Sequence, residues 1–127
     1  MPLKYFGIRV TNLESSIDFY TRLLGLKLKT TGKMEHGGVF AELEDPVTHF
    51  VLELNWYPRG SPFDTPYTPG EGLDHLGFEV DDALAVFKRL LAEGVEPALH
   101  PFVDSGWVLA FVKDPDGNWI ELASKAS

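Results

Sequence analysis

The chain repeats itself. Tyr5-Phe6-Gly7-Ile8-Arg9-Val10 lines up with His75-Leu76-Gly77-Phe78-Glu79-Val80, and Phe50-Val51-Leu52-Glu53-Leu54 with Asn118-Trp119-Ile120-Glu121-Leu122, at offsets of 70 and 68 residues. Self-similarity at a fixed period means two copies of one supersecondary unit. A chain of 127 residues fits one compact domain. The expectation is therefore a single domain, 1–127, in which two half-size modules share a core.

Each copy opens on a short strand, Tyr5 to Val10 and His75 to Val80, with Asn12 and then Asp81 or Asp82 as candidate helix N-caps. Leu13, Ile17, Tyr20 and Leu24 at helical spacing predict a first helix ending at Gly25, and Leu84, Phe87, Leu90 and Leu91 predict a second ending at Gly94. Three strand-like segments follow each helix, with turns at Asp45-Pro46 and Asp114-Pro115-Asp116-Gly117-Asn118. The unit is β-α-β-β-β, twice, over 3–55 and 73–124. The fold class is α+β: tandem βαβββ modules forming a curled mixed sheet with the helices on its outer face. Between them, 56–72 carries Pro58, Pro62, Pro66 and Pro69, which bar a helix or central strand, together with the aromatics Trp56, Tyr57, Phe63 and Tyr67. Such a segment is either an ordered connection tacked down by its rings or a lid.

Residues two apart on a strand share a face. Phe6, Ile8 and Val10 oppose Tyr5, Gly7 and Arg9; Leu76, Phe78 and Val80 oppose His75, Gly77 and Glu79; Leu52 and Leu54 oppose Glu53; Ile120 and Leu122 oppose Glu121. The apolar faces must meet the helices, so Tyr5, Glu53, His75 and Glu121 point the other way, onto a face that is wetted or curled into a cleft. Two carboxylates and an imidazole in symmetry-related slots form a metal site or a general-base site. Phe40, Leu109 and Phe111 share the inward parity, with Trp56 or Trp107 at the rim, and would line a mostly apolar pocket. His36, His49 and His100 have no counterpart in the other copy and are assigned to the surface, and Tyr20 to the core.

With no cysteine, a metal has to be held by oxygen and imidazole nitrogen, which suits Zn, Ni, Mn, Fe(II) or Mg. Eleven basic against nineteen acidic residues give a net charge of −8, which repels nucleic acid and anionic lipid. There is neither a long apolar N-terminal stretch nor an apolar run of membrane-spanning length, so a cytoplasmic protein is expected, without nucleic-acid or membrane partners.

Arg9 to Tyr20 with Leu24-Gly25, then Leu52-Glu53-Leu54, Asp74-His75-Leu76-Gly77, and Phe111 through Glu121 with Asp114-Pro115-Asp116-Gly117-Asn118 inside it, together resemble the vicinal oxygen chelate superfamily. This is the glyoxalase, bleomycin-resistance and extradiol-dioxygenase fold, and the resemblance covers essentially the whole length. It implies that the four inward positions are where metal ligands fall. Glu53, His75 and Glu121 are similar to the Glu, His and Glu of glyoxalase I at the second, third and fourth positions. Tyr5 departs from the His or Gln of that enzyme's first position, and either stands nearby or ligates weakly through its phenol. Extradiol dioxygenases need His at the first position, so Tyr5 places Fe(II) behind Zn, Ni and Mn.

The resemblance further implies a metal-dependent lyase or isomerase acting on a small vicinal-oxygen carbonyl compound. The metal would stabilise an enediolate-like transition state, with Glu53 and Glu121 as catalytic carboxylates and Glu121 moving the proton. Arg9 corresponds to a residue that helps hold a glutathione carboxylate, whereas Glu71 and Leu99 stand where glyoxalase I has further cations, which argues against glutathione. In short members of the family the site forms between two chains, so a twofold homodimer is expected, with Glu53 from one chain and His75 and Glu121 from the other. The alternatives are a binding protein of the bleomycin-resistance kind, which sequesters a small molecule without turnover, and a dioxygenase or epimerase relative.

Overall fold

The computed structural model describes residues 1–127 and divides into two compact units, Met1–Tyr67 and Thr68–Ser127. In the first, β1 (Phe6–Arg9) leads to α1 (Leu13–Asp18), which runs on into a π-helical turn (Phe19–Leu23), and β2 (Lys27–Lys33), β3 (Val39–Glu44) and β4 (Val51–Trp56) follow. The second carries β5 (His75–Glu79), α2 (Ala83–Ala92), β6 (Pro97–Asp104), β7 (Trp107–Lys113) and β8 (Trp119–Lys125). Each unit is thus the expected βαβββ. The strands form two four-stranded sheets, ordered β1-β4-β3-β2 and β5-β8-β7-β6, one for each of the expected tandem modules. The first strand of each unit pairs in parallel with the last and the other ladders are antiparallel, so both sheets are mixed.

Local chemistry starts and stops the helices in matched ways. Asn12 Oδ1 accepts from the Ser15 amide and Asp82 Oδ1 from the Ala85 amide, each at 3.0 Å, so Asp82, not Asp81, caps the second helix. Gly25 and Gly94 end the helices at φ of 85° and 90°, a region open to glycine without a Cβ clash. Gly25 lies thirteen positions after Asn12, but Gly94 lies only twelve after Asp82. The extra residue is taken up in the π turn, where the Leu24 amide reaches back five residues to the Phe19 carbonyl at 3.2 Å.

A second extra residue sits in the β3–β4 hairpin. There Asp45 N–H closes on Phe50 O, whereas Asp114 N–H in the second unit closes on Asn118 O, one residue sooner. His49, at φ 62°, supplies the left-handed step that Gly117 supplies at 87°. These two insertions account for the fall in the repeat offset from 70 to 68.

One face of each sheet is apolar and buried. Ile8, Ala41, Leu43, Leu52 and Leu54 lie with Phe19, Tyr20 and Leu23 of the first helical segment; Ala110, Val112, Ile120 and Leu122 lie with Ala83, Phe87 and Leu90 of α2. Each large side chain buried in this way contributes about 1.5–3 kcal/mol. Tyr20 is fully buried, as its spacing predicts, whereas Leu84 is 42% exposed and the smaller Ala83 turns inward in its place. No helix is long and apolar enough to cross a membrane.

Candidate functional site

The register of the parallel ladders sets the site. In the second unit His75 pairs with Trp119 and Gly77 with Glu121, so His75 and Glu121 stand on the sheet face opposite Ile120 and Leu122. His75 Nε2 and Glu121 Oε2 lie 3.7 Å apart, too far for a hydrogen bond. His75 Nδ1 contacts Asp74 Oδ2 at 2.6 Å. An ionised carboxylate can only accept, so Nδ1 carries a proton and Nε2 is the ring nitrogen that faces Glu121. Asp74 therefore fixes the tautomer a metal ligand needs.

The donor types, an imidazole nitrogen and a carboxylate oxygen, suit a divalent ion; two donors each about 2 Å from a shared ion stand roughly 3–3.5 Å apart, somewhat closer than the 3.7 Å here. Phe111, paired with Glu121 across the antiparallel ladder, meets the His75 ring edge-on at 5.7 Å and touches Trp119 and Phe102. At Gly77 a Cβ would lie 3.5 Å from Glu121 Oε1, so that position leaves the carboxylate its room.

Beyond Glu121 the same face opens into a recess of about 490 Å³ whose lining includes Gly77, Glu79, Asp104, Trp107, Leu109 and Ala123. Its far end is a tight hairpin. Ser105 and Gly106 both have positive φ, 50° and 83°, and Asp104 and Trp107 form the closing pair. Trp107 and Leu109 thus border the recess, and Phe111 stands beside the His75–Glu121 pair.

In the first unit Gly7 pairs with Glu53, the counterpart of Gly77 with Glu121. Partial burial pushes the Glu53 carboxyl above its ordinary range; a hydrogen bond from Asn55 opposes this, and the charge of Glu42 adds to it. Glu42 is the direct cross-strand partner of Glu53, and Phe40 of Asn55, on the same face. The Phe40 ring lies across Gly32, where a Cβ would come within 2.6 Å of it.

Tyr5 precedes β1 and is 52% exposed. Trp56 ends β4 with the parity of Leu52 and Leu54, which turns it to the side opposite Glu53. Arg9 is engaged by the connecting segment: its Nη1 donates to Phe63 O at 3.1 Å and Thr65 Oγ1 at 2.6 Å, and its guanidinium lies 5.5 Å over the Tyr67 ring. Tyr57 stacks on Phe63 at 5.0 Å, and His36 packs against both rings, so His36 belongs to this aromatic cluster and not to the open surface. His49 and His100 are exposed, as expected.

Of the three residues expected to ligate, His75 and Glu121 are neighbours on the second sheet and Glu53 is on the first. No three His, Asp or Glu side chains of the one chain are grouped so as to hold a metal ion. Sequence reasoning missed Asp74, Glu42 and Asn55. Asp74 adjoins His75 in the chain, and Glu42 has the same parity as Phe40, so for both of them a signal was present.

The sequence profile of the Glyoxalase/Bleomycin resistance protein/Dioxygenase superfamily matches residues 3–122. A lactoylglutathione lyase of Neisseria meningitidis is 37% identical over 135 aligned positions, covering 100% of this chain and 93% of its own. Among solved structures, the trypanothione-dependent glyoxalase I of Leishmania major matches with a TM-score of 0.77 at 29% identity, over 98% of this chain and 87% of that one. An antibiotic binding protein from a Streptomyces species matches with a TM-score of 0.76 at 26% identity, over 99% and 97%.

Proposed function

We propose, since this chain belongs to the Glyoxalase/Bleomycin resistance protein/Dioxygenase superfamily, that it is a metal-dependent lyase or isomerase of the glyoxalase type, working in the cytoplasm on a small carbonyl compound with vicinal oxygens. The observation that carries this reading is the His75–Glu121 pair, in which an imidazole of fixed tautomer faces a carboxylate at the edge of an apolar recess. The relatives named lactoylglutathione lyase point to the same chemistry. A divalent ion of the Zn, Ni or Mn kind would be held by His75, Glu121 and Glu53, with Tyr5 as a weak fourth donor, and when bound it supplies Lewis-acid polarisation of the substrate's oxygens.

The chain's own groups do the rest. Glu121 accepts the proton from the carbon beside the carbonyl and returns it to the neighbouring carbon; Glu53 is the second carboxylate of the site. Asp74 keeps His75 oriented, and Phe111 packs edge-on against the imidazole. Glu53 of one protomer completes the His75 and Glu121 of its partner, in a twofold homodimer.

The test is exchange of a carbon-bound substrate hydrogen with heavy water, expected with the wild type and abolished in Glu121→Gln. Calorimetry should show stoichiometric metal binding lost in His75→Ala. A second reading, supported by the antibiotic binding protein among the structural relatives, is a sequestering protein using the same face. Tight ligand binding with neither exchange nor product, across several metals and a broad set of carbonyl compounds, would decide for it.

A further inference from the structure

The recess next to Glu121 has a definite chemical character. Its floor is Gly77 and Ala123, residues too small to fill it, and its walls are Trp107 and Leu109. Three carboxylates border it: Glu121 at the reactive end, Glu79 and Asp104 at the far end, and no lining side chain is basic. Lys125, the ladder partner of Trp107, stands on the same sheet face at the end of β8, but it is exposed and outside the lining. The hairpin turns through Ser105 and Gly106, and Ser105 Oγ donates to Asp104 Oδ1 at 3.1 Å. The corresponding positions of the first unit hold Arg9, Asn55 and Phe40 in place of Glu79, Ala123 and Leu109. Both the space and the charge therefore belong to the side chains of the second copy alone.

We propose that this recess receives the part of the substrate remote from the reacting carbons, and that this part is an apolar body ending in a protonated amine or guanidinium. The inference rests on the reading of the His75–Glu121 end as the reactive one. A cation lying over the Trp107 indole gains from its quadrupole, and Glu79 and Asp104 accept its charge-assisted hydrogen bonds. An anionic tail in the same place would face Glu79 and Asp104, an arrangement that discriminates by repulsion as well as by attraction.

Benzylamine, benzyl alcohol and benzoate share a ring and differ in the charge of the tail, and none has vicinal oxygens. Each is titrated into the full-length ¹⁵N-labelled protein while the amides of Gly77, Gly106 and Ala123 and the Trp107 indole are followed. The expected result is binding of benzylamine about tenfold tighter than of benzyl alcohol, and no binding of benzoate. The amine's advantage should shrink to about twofold or less in Glu79→Gln/Asp104→Asn, and fall when salt is raised from about 20 to about 500 mM in the wild type. Benzoate binding as tightly as benzylamine, an amine advantage indifferent to both the substitutions and salt, or shifts confined to other residues would overturn the proposal. The probes report on the recess without turnover. Their failure condemns the recess alone, whereas amine binding without proton exchange on any carbonyl substrate condemns the reaction.

Discussion

Glu53 is held in a setting that disfavours its charge: partial burial comes first and the neighbouring Glu42 adds to it, while Asn55 only partly compensates. A carboxyl whose folded pKa is raised costs the native state stability above that pKa, and nothing once both states are protonated. In the metal-free protein Glu53→Gln should therefore raise stability to urea at pH 7. The gain should shrink as pH falls through the window between the raised value and the ordinary carboxylate range, and vanish below it. Asp45 has the opposite sign. Its carboxylate accepts from the Thr48 and Val47 amides, which holds its pKa below the usual range, so its contribution is present above the ordinary value and is lost as pH falls through the folded one. Asp45→Asn should cost stability at pH 7 and progressively less in acid; equal cost at both ends would mean that the charge plays no part. At the His75–Glu121 pair, Asp74→Ala should weaken the proposed metal binding about 10- to 100-fold by calorimetry while leaving its stoichiometry intact, because it frees the His75 ring without removing a donor. Strand parity was enough to put Glu53 on one sheet face and His75, Glu121, Leu109 and Phe111 together on the other sheet's corresponding face. It could not show that Glu42 stands opposite Glu53, nor that Arg9 is spent on Phe63 and Thr65, because both depend on pairing between distant stretches of chain.

The helices carry their boundaries in short-range chemistry, and that is why they were legible. Asn12 and Asp82 each satisfy an amide that the helix leaves without a partner, and replacing either by Ala should cost about 1 kcal/mol in urea unfolding. A loss well under half of that in either variant would mean that tertiary packing alone fixes the helix start. Ser16 is a different case: it is fully buried on α1 and its hydroxyl meets no partner. Ser16→Ala should leave stability unchanged or raise it by about 1 kcal/mol, since a buried hydroxyl without a bond costs about that much or more. The π turn was not legible, because Leu13, Ile17, Tyr20 and Leu24 suit an α-helix as well as one with a residue to spare. Only comparison with the second copy, one residue shorter between cap and glycine, exposes it.

On the scale of the whole chain the repeat made both sheets readable, since each order, β1-β4-β3-β2 and β5-β8-β7-β6, is the same unit written twice. What lay beyond reading was the register of each ladder, which depends on pairing between distant stretches of chain. The proposed homodimer has a consequence that mixing can measure. Glu53→Gln and Glu121→Gln proteins should each be inactive alone, yet refolded together in equal amounts they should recover roughly a quarter of the wild-type activity, because half the dimers are mixed and each mixed dimer has one intact site. No recovery, with subunit exchange shown by mass, would place all the ligands of a site on one chain. The two insertions carry a last implication. An added residue in a strand would turn every side chain beyond it to the opposite face, and in this chain both added residues lie outside the strands, in a helical bulge and a hairpin loop. The helix and the turn thus work as expansion joints: they let the two halves drift apart in length while Glu53 and Glu121 keep the same phase, and tolerated length changes in this scaffold should be found at those joints.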